Sequence, residues 1–84
     1  MKRNKRQINT FETIFEEQKN GGYTVIVPML PGCISEGDSF EEAKNNIAEA
    51  ITAYLESLKK DHRKIPQKSP AVFIGRIAAL KPVF

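Results

Sequence analysis

The sequence predicts a two-layer α+β domain with the element order β-β-β-α-β: a small, mainly antiparallel sheet covered by one helix. Three observations carry that reading. Alternating apolar residues flank a Gly-Gly turn, a Ser-x-x-Glu box opens a long apolar stripe at helical spacing, and a second apolar run follows a proline-bearing linker.

Each element has its own signal. Residues 1–7, with Lys2, Arg3, Lys5 and Arg6, read as a basic mobile arm. From Ile8 to Glu17 the composition is strand-like, with Phe11, Thr13 and Phe15 on one face and Ile14 on the other. Asn20-Gly21-Gly22 forms the turn of a hairpin. Tyr23 to Val27 is the clearest strand: Tyr23, Val25 and Val27 share a face, and Ile26 takes the opposite one. Pro28 and Pro31 cannot donate to a ladder, so the strand ends there, and Cys33-Ile34-Ser35 reads as a short third strand.

The helix begins at Ser39, whose capping box with Glu42 satisfies orphan amides. Phe40, Ala43, Ile47, Ala50, Ile51, Tyr54, Leu55 and Leu58 recur at three- and four-residue steps and form one apolar stripe. Glu41 and Glu42 in the first turn, and Lys59 and Lys60 in the last, complement the helix dipole, so the helix should stop near Lys60. Residues 61–70 are a polar linker, and Ala71 to Leu80 reads as a fourth strand. The domain is therefore expected over residues 8–80, with 81–84 as a short tail and no separate DNA-binding domain.

Composition bounds the function. At 84 residues the chain is expected to be one domain with little stability to spare, and self-association would help it. No apolar stretch approaches the ~20 residues of a membrane span, and the basic N-terminus lacks the apolar core of a signal peptide. The cytoplasm is the expected location. A single cysteine, Cys33, leaves no internal disulfide framework, and His62 as the only histidine argues against an ordinary zinc site. The net charge of +3 conceals a polarity: residues 7–58 carry −7, while both ends are basic. An acidic centre suits a basic protein partner, and basic ends could touch nucleic acid.

One helix covers only one sheet face, yet strand two is apolar on both, and the C-terminal segment is apolar too. A homodimer is the simplest cover, and a heterologous partner is the other.

Two groups of residues are candidate contact sites. Pro28, Met29, Leu30, Pro31, Gly32 and Cys33 form a proline-stiffened loop that loses little entropy on docking. Glu36 and Asp38, with Glu41 and Glu42, form an acidic cluster that could pair with basic groups and speed association. A turn that merely reverses the chain, and acids that merely serve the helix start, are the plain alternatives. No catalytic constellation stands out. Carboxylates for a metal nuclease exist at Glu12, Glu16, Glu36 and Asp38, but nothing in the order makes them converge. His62 beside Arg63 and Lys64 reads as solvated, and Cys33 as a small buried residue. Lys59, Lys60, Arg63, Lys64 and Lys68 could meet phosphates, but no aromatic residues interleave with them, and nucleic-acid-binding residues are not assigned.

The combined pattern is Gly21-Gly22-Tyr23, Pro28-Met29-Leu30-Pro31-Gly32-Cys33, Gly37-Asp38-Ser39, Glu41-Glu42-Ala43, Ala50-Ile51 and then Ile65-Pro66. Across residues 8–80 it resembles the HicB-type antitoxins. The resemblance implies a partial ribonuclease-H-like fold without ribonuclease activity. It also implies a type II toxin–antitoxin role: neutralising a HicA-type, mRNA-cleaving toxin by covering its catalytic histidine and RNA-binding surface. The contact residues would come from the loop 28–33, Glu36 and Asp38, with no cofactor and no metal. An orphan HicB-like nucleic-acid-binding or regulatory module is the alternative. Many family members repress their own operon through a C-terminal DNA-binding module. Here Met29 stands where the family often has an acid, so the loop lacks one carboxylate; only 14 residues follow Pro70, which puts direct operator binding in doubt.

Overall fold

The computed structural model describes residues 10–66 and 72–83. Three strands and one helix occur in the order β1 (Ile14–Glu17), β2 (Tyr23–Ile26), β3 (Ile34–Gly37) and α1 (Phe40–Lys60). The sheet is antiparallel throughout, with strand order β1-β2-β3. The α+β class and the β-β-β-α order are those the sequence predicts.

Register explains which face is the core. Phe15, Val25 and Ser35 stand opposite one another across the sheet, and Val25 is fully buried there. The next residue in each strand points the other way. Val25, Val27, Leu30, Cys33, Ala43 and Ile47 form the buried cluster between sheet and helix, flanked by Phe11, Phe15, Tyr23, Ile51, Tyr54 and Leu55. Phe40 begins the stripe and stacks on Phe15 at 4.5 Å and edge-on to Tyr23 at 5.7 Å.

The helix ends are both capped. Ser39 Oγ accepts from the Glu42 amide at 3.1 Å. The Glu42 carboxylate accepts in return from the Asp38 amide, one residue before the cap. At the far end the His62 amide donates to Lys59 O and the Arg63 amide to Leu58 O, the paired bonds of a Schellman motif. His62 takes the left-handed conformation that this motif needs, at φ 58°.

β1 is shorter than the sequence suggests, and residues 10–13 lie outside it. The reason is on β2. Ile14 already pairs with Ile26, and two residues later Pro28 has no amide to extend the ladder. β3 is shifted instead: Cys33 is used in a turn, and the strand runs on to Gly37, opposite Tyr23.

The fourth strand expected at 71–80 is not formed. Residues 72–83 carry no regular secondary structure, and Phe73, Ile77, Leu80 and Val83 are each at least 90% exposed. A strand exists only where an edge completes its ladder, and among the described residues the sheet has only β1, β2 and β3. Apolar composition alone does not supply the partner edge that a strand needs. The basic arm expected at residues 1–7 and most of the linker end, including Lys68, lie outside the described residues.

Candidate functional site

The loop that joins β2 to β3 is built from two consecutive turns. The Leu30 amide donates to Val27 O at 3.0 Å and the Cys33 amide to Leu30 O at 2.9 Å, while the Val27 amide donates to Cys33 O at 3.1 Å across the neck. Pro28 and Pro31 occupy the first central position of each turn, where φ near −65° is required and no amide is needed. Gly32 follows Pro31 at φ +84°, the left-handed position that a type II turn demands. The helix adds a fourth tie: the Tyr54 hydroxyl donates to Pro31 O at 2.9 Å.

The six loop residues divide by exposure. Leu30 is fully buried and Cys33 is 4% exposed, so these two side chains hold the loop to the core rather than facing a partner. Burial pushes the Cys33 thiol up from its ordinary pKa. Pro31 and Gly32 are exposed and Pro28 is half-buried, while Met29, also half-buried, packs in part against the core cluster.

The acidic residues gather elsewhere. Glu36, Asp38 and Glu42 line an open polar groove of about 420 Å³ with Gln18, Asn20 and Asn46. Asn46 Nδ2 donates to Glu36 O at 2.8 Å, which ties β3 to α1. Gly37 lets them approach: a Cβ there would stand 2.4 Å from the Ala43 amide nitrogen. Glu42 is occupied with the Asp38 amide. The Glu36 and Asp38 side chains are exposed.

Loop and acids do not form one patch. The loop lies at the Ile26–Ile34 end of the β2–β3 hairpin, and the groove at the Tyr23–Gly37 end. At ~3.3 Å per strand residue the two are roughly 10 Å apart along β3. Sequence reasoning missed this separation, because it depends on hairpin register. It also missed the Tyr54 hydroxyl, which looks like one more member of the apolar stripe, and the amides of Gln18, Asn20 and Asn46.

Among the described residues, no three or more His, Cys, Asp or Glu side chains are grouped to hold a metal ion. No described helix is long and apolar enough to cross a membrane. A second groove, of about 630 Å³, lies beside the end of α1 and is lined by Leu55, Lys59, Arg63, Lys64 and Ile65 among others.

Fold and surface together define a small α+β platform that presents a stiff apolar loop at one end and an acidic groove at the other. Residues 11–76 match the model of the HicB-like antitoxin of bacterial toxin–antitoxin systems, and the chain belongs to that family. A UPF0150 protein of Synechocystis sp. is 46% identical over 63 residues, covering 75% of this chain and 80% of that relative. One from Thermoplasma acidophilum is 49% identical over 57 residues, covering 68% and 83%. Antitoxin HicB 1 of Photorhabdus laumondii is 32% identical over 60 residues, which are 71% of this chain but 39% of that longer protein.

Proposed function

We propose that this chain neutralises a HicA-type, mRNA-cleaving toxin by binding it and occluding its active site. It would act by steric and electrostatic cover rather than by catalysis, on a platform of the partial ribonuclease-H-like kind, in the cytoplasm. Family membership supports the antitoxin class. The observation that carries the mechanism is the loop at 28–33, fixed by three backbone bonds and the Tyr54 hydroxyl before any partner arrives. A preformed loop loses little conformational freedom on docking. Pro28, Met29 and Pro31 would supply apolar contact at the toxin's active-site mouth. Glu36 and Asp38, at the other end of the hairpin, would steer a basic toxin without sharing that contact.

The test is an RNA-cleavage assay with a small basic ribonuclease encoded beside this chain. Adding the chain at equal molarity should abolish cleavage, and Met29→Arg with Pro31→Gly should restore it while the chain stays folded by circular dichroism. Undiminished cleavage at molar excess would sink the proposal.

A second reading, as an orphan nucleic-acid-binding or regulatory module, is favoured by one observation: Lys59, Arg63 and Lys64 line a single groove. It requires RNA or DNA affinity that falls steeply with salt, by a slope of roughly one per phosphate neutralised.

A further inference from the structure

We infer that residues 72–83 form an exchange arm: each copy's arm lies on the outer sheet face of a second copy. This does not rest on the toxin reading: it uses the sheet face that α1 leaves uncovered, with Glu36 the one residue common to both.

The outer face carries two rows of cross-strand neighbours. Ile14, Ile26 and Ile34 stand opposite one another, and the next row is Glu16, Thr24 and Glu36. Ile26 is 37% and Ile34 58% exposed. A row of isoleucines beside a row with two carboxylates is an apolar-acidic surface. The arm is its complement. Val72, Phe73, Ile74, Ile77, Leu80 and Val83 are all exposed, and residues 72–83 include Arg76 and Lys81 but no acid. The two surfaces match in hydrophobicity and in charge. A basic arm suits the acidic centre of another copy better than a basic toxin, and this decides the occupant.

The arm is also placed to leave its own chain. Val72 and Ile74 line a groove of about 280 Å³ with Thr13, Ile14 and Pro28, beside β1. Beyond Gly75 the chain departs, so that Leu80 and Val83 are fully exposed. Reciprocal exchange about a two-fold axis counts every contact twice. Twelve arm residues plus the face they cover approach the roughly 20–30 residues per side of a standard stable interface. The apolar run that the sequence suggests as a fourth strand is then covered between copies.

The test is sedimentation velocity on the full chain and on charge-reversed variants, with folding checked by far-ultraviolet circular dichroism. The native chain should sediment as a dimer at micromolar concentration. Ile77→Asp with Leu80→Asp, at exposed positions, should weaken the dimer by roughly ten-fold or more, or about 1.4 kcal/mol per ten-fold, and so should Ile26→Asp. Glu16→Lys with Glu36→Lys, and separately Arg76→Glu with Lys81→Glu, should each dissociate more readily. Mixing those two charge variants should restore the dimer, since arm and face then match only between unlike chains. A monomeric native chain would overturn the inference. So would arm variants that dimerise as tightly as the native chain, or mixing that restores nothing. Protection of residues 72–83 from exchange by the toxin alone, with the chain monomeric, would give the arm to the toxin and overturn it as well.

Discussion

The two ends of the β2–β3 hairpin are made from the same two strands and behave as opposites. At the Ile26–Ile34 end three backbone bonds close the loop, Leu30 anchors it from below, and Tyr54 ties it from the side. What remains outside is apolar and stiff. At the Tyr23–Gly37 end, Gly37 brings helix and strand together, and polar side chains face an open groove. The first kind of surface suits a long-lived contact, the second a fast encounter, because rim charges mainly change association rates and buried contacts mainly change dissociation. The difference teaches that a binding platform can separate speed from residence by a single strand's length.

Leu30→Ala should have the largest effect on this contrast. It empties the anchor under the loop and should cost about 3 kcal/mol in denaturant unfolding, within the range for buried leucines. A loss below about 1 kcal/mol would mean that the loop is held by its turns alone. At the other end Gly37→Ala should cost about 2 kcal/mol, the scale of overpacking, because its methyl would meet the Ala43 backbone. Both are read from the same urea titration.

Tyr54→Phe sharpens the comparison by removing one bond without removing the ring. Stability should fall by about 1 kcal/mol, and a toxin complex should dissociate faster with little change in its association rate, as surface plasmon resonance would read. Glu36→Gln with Asp38→Asn should do the reverse: association should slow several-fold at low salt and converge with the native chain at high salt. Stability should move by no more than about 0.5 kcal/mol. If these acids altered dissociation instead, the two ends would be one interface.

Cys33 gives the smallest effect. Its pKa is raised in the folded chain by burial, so the folded state holds the thiol proton more tightly than the unfolded state does. The sign follows: the contribution is full below the unfolded thiol value of about 8.5 and is lost as pH rises through the higher folded value. Stability should therefore decline above about pH 8.5 in the native chain, and less so in Cys33→Ala after correction for the lost side chain. Alkylation of the native thiol at neutral pH should be slow, and fast in denaturant.

Legibility followed the range of the forces involved. α1 was readable at both ends, since Ser39, Glu42 and the Lys59-Lys60 pair act within one turn of the helix. β2 was nearly so, because Pro28 stops it locally. β1 was overextended and β3 misplaced by a residue or two, because each is defined by what pairs with it rather than by its own side chains. The candidate contact residues read in the sequence as one surface, and the fold separates them. Pro28 to Cys33 look like one surface in order, but the two consecutive turns end at Leu30 and Cys33 and bury both. Glu36 lies three residues beyond Cys33 in the sequence, but the strand carries it to the opposite end.

The chain has two tyrosines and no tryptophan, and one tyrosine stands at each end of the hairpin. Tyr23 lines the acidic groove and Tyr54 holds the loop. With no indole to drain or mask their emission, the molecule carries its own pair of optical reporters. Quenching in a Tyr23→Phe chain would report on the loop, and in a Tyr54→Phe chain on the groove. Which light dims first when a partner arrives would say which end it meets first.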